Sequence, residues 1–328
     1  MARLRANLVI RCILVALIAA CAPVTIPVGP PVQSPELTAN QLVMADGSRL
    51  PLRVWRPDGD PSAVILAVHG INDYSQAFDA TARSWASQGI QTYAYDQRGF
   101  GGAPGHGLWP GTETLVSDLN AATDLIREAH VGKQFFLVGT SMGGAVVMTA
   151  MGAKDAPQVD GIVLAAPAVW GWQTLNPFYK VVLWIGAHVA PGAKVSGRGL
   201  GFKPSDNRDM LIALGKDPLI IKQTRIDSVY GLVNLMDAAF STTADISVPT
   251  LVIYGAKEEI VPKIPTYKML RRLTAPHRVA IYPDGYHMLL RDLKSDVVHA
   301  DIAAWITSPT APLPSGNDMG WRKFFSDE

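Results

Sequence analysis

Three side chains have the types and the chain order that acyl transfer requires. "LVGTSMGGAVV" (137–147) sets Ser141 between Gly139 and Gly143 at the end of an apolar run. A serine hydroxyl is a poor nucleophile at neutral pH; it needs an adjacent base, and the base needs an orienting acid. Gly139-Thr140-Ser141-Met142-Gly143 fits G-x-S-x-G, after a strand-like stretch and before the small-residue stretch "GAVVMTA". In such an elbow the serine takes a strained backbone conformation that lifts its oxygen clear. The residues two before and two after must be small, and both are glycine. The base should follow a late strand: "YPDGYHMLL" puts His287 in a turn after "RVAIYP" and before the final helix. The acid should end the preceding strand, where "LVIYGAKEEIVP" offers Glu258 and Glu259. The spacing to Gly255 and to Ile260-Val261 favours Glu258.

Acyl transfer also needs two N–H groups aimed where negative charge develops. One is expected from Met142, directly after the serine at a helix start. The other is expected from Ile71, in the loop after "SAVILAVHG", with Gly70 leaving room. His69 should order that loop and not move protons. Of the other histidines, His130, His188 and His299 sit in helical stretches, His277 begins a strand and His106 lies in a glycine-proline loop. The chain has no C-x-x-C, no H-E-x-x-H and no carboxylate–histidine cluster with ligand spacing, so no metal is expected. "GFGGAPG" misses the dinucleotide fingerprint, with a proline where a helix should open, and no cofactor is expected.

Strand-like runs must position these groups. "QLVMADGSRLPLRVW" (41–55) carries two around Asp46-Gly47, a hairpin signal. "SAVILAVHG" (62–70), "QTYAYDQRG" (91–99), "FFLVG" (135–139), "GIVLAA" (161–166), "TLVIYG" (250–255) and "RVAIYP" (278–283) continue the series. Between them fall helical patterns: "SQAFDATARSWASQ", a face of Leu115, Leu119, Ala122 and Ile126, and another of Val298, Ile302, Trp305 and Ile306. That alternation predicts an α/β fold, a mostly parallel central sheet with helices on both faces. Residues 167–247 break the rhythm. They contain the apolar, helix-like "FYKVVLWIGAHVAPG" and "SVYGLVNLMDAAF" and read as a cap over the C-terminal edge of the sheet, where such sheets bind ligands.

The N-terminus has a different character. Arg3, Arg5 and Arg11 precede "CILVALIAA", an apolar stretch short for a bilayer span. It ends in "LIAAC", which resembles the bacterial lipobox, with lipid attachment at Cys21 and cleavage before it. The expected division is a lipoprotein signal peptide at 1–20, a proline-rich tether at 21–36, a catalytic domain at 37–307 and a loosely structured tail at 308–328. Only Cys12 and Cys21 are present, so the mature chain holds one cysteine and no internal disulfide. Hydrophobic residues make up 48% of the 328 and charged residues 17%, which supports a large core. A net charge of +1, without basic runs, gives no reason to expect nucleic acid as a partner.

"VHGINDYS", "YDQRGFGGAP", "VGTSMGG", "YGAKEEIVP" and "YPDGYHMLL" resemble, in order, the motifs of the α/β-hydrolase family of monoacylglycerol lipases and lysophospholipases, and "SDNRDMLIALGKDPL" resembles its lid region. The resemblance covers roughly 37–307. It implies an α/β-hydrolase fold, Ser141 as nucleophile, His287 as base, Glu258 as acid, and Ile71 and Met142 as oxyanion donors. Asp96 and Arg98 match positions with a role in loop structure. The sequence departs from the family with glutamate for the usual aspartate at 258 and threonine for a frequent histidine at 140. The implied activity is hydrolysis of monoacylglycerols, lysophospholipids or similar esters. Alternatives are amide or peptide hydrolysis on the same fold, or a non-catalytic cell-envelope binding protein. With a lipidated Cys21 the expected location is a bacterial envelope membrane, the outer one where the host has it.

Overall fold

The computed structural model describes residues 22–26, 28–197 and 201–326; Cys21 and the signal-like segment lie outside them. Among the described residues eleven strands form: β1 (Glu36–Leu37), β2 (Gln41–Val43), β3 (Arg49–Trp55), β4 (Ala63–Val68), β5 (Ile90–Tyr95), β6 (Gln134–Thr140), β7 (Gly161–Ala165), β8 (Lys194–Val195), β9 (Thr224–Arg225), β10 (Thr250–Gly255) and β11 (His277–Tyr282). Nine make one sheet in the order β1-β2-β3-β5-β4-β6-β7-β10-β11. The hairpin read around Asp46-Gly47 is β2–β3, antiparallel, and from β5 onward the pairs are parallel.

Every residue of β4 is buried because each face of the sheet has its own core. Val64, Leu66 and Val68 point into one, with Leu115 and Leu119 of helix α2 (Thr112–Ala129) and Ala145 and Val146 of α3 (Met142–Met151). Ala63, Ile65 and Ala67 point into the other, with Trp85 of α1 (Asp79–Ala86) and Ile302 and Trp305 of α8 (Ser295–Thr307). Strict period-2 division of one uniformly apolar strand is what a doubly covered sheet demands.

The cap supplies α4 (Pro177–Val189), α5 (Arg208–Lys216) and α6 (Ile226–Thr242), with β8 and β9 paired as a separate two-residue ribbon. Asn176 and Asn207 cap α4 and α5 through their side chains. The helix α7 (Lys263–Arg272) follows β10.

Two terminal segments are more ordered than their composition predicts. The proline-rich stretch lies along the domain: Ile26 N–H donates to Trp109 O, and Val32 N–H to Ala45 O. The expected loose tail is also packed. Arg278 pairs with Asp318, Ile281 N–H donates to Asn317 O, and α9 (Trp321–Ser326) buries Phe325. Proline and glycine keep regular elements short there but do not prevent contacts with an existing surface.

Candidate active site

At the junction of β6 and α3, Ser141 has φ 51° and ψ −116°, outside the regions that L-residues prefer. Such strain costs of order 1–3 kcal/mol and persists only where its surroundings impose it. Glycine packing imposes it here. A Cβ on Gly143 would stand 2.0 Å from the Val68 carbonyl oxygen, and one on Gly139 2.6 Å from Gly143 O. The Ser141 N–H donates to Ala165 O at 2.9 Å, and its carbonyl accepts from Ala168 at 3.0 Å. Met142 is the first residue of α3, so its N–H has no acceptor within the helix.

The β4 turn approaches the elbow from the other side. A Cβ on Gly70 would lie 3.4 Å from the Ser141 Cβ, which puts the backbone entering Ile71 against the serine. His69 is fully buried and braces this turn. Its Nδ1 lies 2.8 Å from Gly70 O, its Nε2 accepts from Gln97 N, and Gln97 Nε2 donates to His69 O. Those partners require a neutral ring with the proton on Nδ1, and burial pushes its pKa below the ordinary histidine value. Asn72, next along, has φ 64°; its side chain donates to Thr224 Oγ1 and its carbonyl accepts from Ile221, so the cap holds the loop.

His287 follows β11, and Glu258 follows β10. His287 Nδ1 lies 2.7 Å from Glu258 Oε2, and the carboxylate side chain is fully buried. Glu258 Oε1 accepts from Ile260 and Val261 N–H groups, folding the long side chain back on its own loop. Glu259 faces elsewhere: its Oε2 accepts from Lys203 N in the cap. The cap also holds the histidine loop, through Met288 N–H to Pro204 O and Asn207 Nδ2 to Arg291 O.

Ser141, Ile71 and His287 line one cavity of about 190 Å³ together with Gly70, Thr140, Ile260 and apolar residues that include Phe78 and Leu289. Among the described residues, none of the cap lines it. The sequence reading missed one feature of its wall, the ion pair of Asp73 and Arg291. The partners are 218 positions apart, and neither lies in a spacing pattern that announces the other.

Asp96 and Arg98 lie away from this cavity. Asp96 accepts from Ser75 N–H and Oγ and from Gly102 N–H. Arg98 joins Asp46 of the hairpin turn to Asp118 of α2. The neighbouring guanidinium holds Asp46 well below the usual carboxylate range, while burial pushes Asp118 up.

The arrangement matches a known architecture. The crystal structure of Paleococcus ferrophilus monoacylglycerol lipase superposes with a TM-score of 0.65 at 22% identity, over 79% of this chain and 98% of that one. The protein has the α/β-hydrolase fold. Residues 59–294 match the family model "Serine aminopeptidase, S33", and the chain belongs to that family. Among its relatives, the monoacylglycerol lipase of Mycolicibacterium smegmatis is 25% identical over 275 residues, 80% of this chain and 94% of that protein. Human monoglyceride lipase is 26% identical over 292 residues, 82% of this chain and 90% of that protein.

Proposed function

We propose that the chain is a serine carboxylic-ester hydrolase for monoacylglycerols, lysophospholipids or similar single-chain esters, working through Ser141, His287 and Glu258. The observation that carries this is the strained Ser141 sharing a cavity with a His287 whose far nitrogen is 2.7 Å from a buried carboxylate. Glu258 holds the His287 proton on Nδ1, leaving Nε2 as the base. As Nε2 takes the Ser141 proton, Oγ bonds to the ester carbon and charge moves onto the carbonyl oxygen. The N–H groups of Ile71 and Met142 receive that oxygen. Collapse breaks the ester bond, and the proton on His287 goes to the leaving alcohol. Water then attacks the acyl-enzyme by the same route and releases the fatty acid. The lipase relatives support the lipid class. The lipobox-like "LIAAC" supports an acylated Cys21 and a place in the bacterial cell envelope.

Ser141→Ala is the direct test. The folded variant should lose fluorophosphonate labelling and at least about 10⁴-fold in ester turnover. Comparable turnover by a pure, folded Ser141→Ala protein overturns the assignment. A panel of monoacylglycerols, lysophospholipids, p-nitrophenyl esters and aminoacyl amides separates ester from amide hydrolysis, and preference for the amides would overturn the substrate class.

A further inference from the structure

The ion pair in the cavity wall joins the two loops that flank Ser141. Asp73 lies just past Ile71 on one loop, and Arg291 just past His287 on the other. Arg291 Nη2 donates to Asp73 Oδ2, and both residues line the cavity with Ser141 and His287. Among the described residues this is the one polar contact between segments 69–75 and 285–292.

Each partner closes a turn beside a reacting group. The Asp73 N–H donates to Gly70 O at 3.4 Å, with Ile71 and Asn72 between them. The φ of 64° at Asn72 suits the third position of a type II turn. Asp73 Oδ1 accepts from the Tyr74 N–H at 2.9 Å, so the carboxylate is fixed to its own backbone. A shift of Asp73 therefore moves the turn that presents the Ile71 N–H. On the other side, the Arg291 N–H donates to Met288 O at 2.7 Å and closes a turn that starts directly after His287. Asn207 Nδ2 donates to Arg291 O at 2.9 Å from the cap.

Burial makes the two charges interdependent. The Arg291 side chain is 17% exposed and that of Asp73 10%. A charge so far out of water is destabilising once its partner is removed. Acyl transfer, in turn, needs the two loops at one separation. With the ester carbon at Ser141 Oγ, its carbonyl oxygen turns to the Ile71 N–H and its leaving oxygen to His287 Nε2. A misplacement of about 1 Å in such a constellation can cost about 10²-fold in rate.

We propose that Asp73 and Arg291 are positioning residues, a clasp that sets the Ile71 N–H and the His287 ring at the spacing of the tetrahedral intermediate. The proposal rests on the Ser141–His287–Glu258 reading above and adds two residues to it. The clasp acts through Ile71 and His287, so its loss lowers kcat and leaves KM for a small ester in place.

The full chain tests this as wild type, Arg291→Met, Asp73→Asn, the double variant of those two, Arg291→Lys and the control Ser141→Ala. On p-nitrophenyl butyrate each single variant should lose about 10–100-fold in kcat, with KM held within about twofold. A fluorophosphonate should label the same final fraction of each protein as of wild type, but about tenfold more slowly, since attack by Ser141 uses the same two loops. The double variant leaves no buried charge unpaired and should fold, with kcat no lower than in the worse single variant. Arg291 reaches Asp73 through Nη2 alone, so a single ammonium can stand in for it. Arg291→Lys should therefore recover at least about fivefold of the kcat lost in Arg291→Met. A smaller labelled fraction that reacts at the wild-type rate means support of the fold alone and overturns the clasp. So does wild-type kcat in the folded double variant, and so do single losses that multiply in it. Wild-type turnover by Ser141→Ala removes the hydrolase reading and the clasp with it. An inactive Ser141→Ala beside fully active Arg291→Met and Asp73→Asn overturns the clasp alone.

Discussion

Oε2 of Glu258 faces Nδ1 of His287 at 2.7 Å while Oε1 of the same carboxylate receives two N–H groups of its own loop. The extra methylene of glutamate is thereby absorbed within the Glu258 loop, and the residue reaches His287 while bonded to its own backbone. Glu258→Gln keeps the size but replaces the negative partner, so kcat/KM should fall roughly 10²–10⁴-fold. Among the described residues Glu259 accepts from Lys203 N–H alone, and Glu259→Gln should stay within about twofold. Steady-state kinetics on one soluble ester decides this; a reversed order of effects would make Glu259 the acid.

Chain-length selectivity follows from the cavity. Its 190 Å³ is below the ~300–1,000 Å³ of ordinary ligand pockets. Each methylene buried contributes at most about 0.8 kcal/mol, roughly fourfold in kcat/KM. Efficiency should rise from acetyl over the first few methylenes. It should rise further with long chains only through the cap, since the cavity walls come from the hydrolase loops. A series of p-nitrophenyl esters measures the profile, and a strict acetyl preference would contradict the lipid-ester reading.

Acidification should strain the turn that leads into Ile71. Burial lowers the pKa of His69, as it does those of His130 and His299. The unfolded chain binds a proton near pH 6.5 that folded His69 refuses, so its contribution to stability is lost as pH falls below about 6.5. His69→Gln has no such proton. The stability gap between wild type and His69→Gln in urea should therefore narrow from pH 7.5 to 5.5. Ring NMR should show His69 titrating below a free histidine; a ring that titrates at or above the free value would refute the argument.

Local rules made the candidate residues and their positions at strand ends legible in the sequence. Ser141, His287 and Glu258 each sit where a strand ends, and strand ends are marked by apolar runs closing on glycine. The β4 core and the Asp46-Gly47 hairpin follow equally from period-2 patterning. What the sequence did not expose were contacts made at long range by residues of unremarkable local type. Asn72 reaches Thr224 across 152 positions, Asp73 reaches Arg291 across 218, and Val24 reaches Asp227 across 203. Proline-rich composition predicted an extended tether at 21–36. It could not say that Ile26 and Val32 hydrogen-bond to the domain.

The packed tail bears on the Glu258 loop. Phe325 stacks on Tyr267 of α7, with centroids 5.7 Å apart and planes 9° apart, and meets Tyr254 of β10 at the same centroid distance. The Tyr254 hydroxyl donates to Val261 O at 2.7 Å, and the Val261 N–H donates to Glu258 Oε1. A chain of contacts thus runs from the C-terminal helix to the carboxylate that faces His287. Phe325→Ala should cost about 3–5 kcal/mol of stability through the cavity it opens. Tyr254→Phe keeps the ring and the stacking but removes one hydrogen bond, worth about 1 kcal/mol net. Its stability cost should stay at about 1 kcal/mol, well short of that of Phe325→Ala, while loosening of the Glu258 loop should lower kcat several-fold with KM for a soluble ester unmoved. Denaturation curves and steady-state kinetics on the two variants separate support of the fold from support of the acid. Wild-type kcat in Tyr254→Phe would show that the Glu258 loop holds itself without the tyrosine.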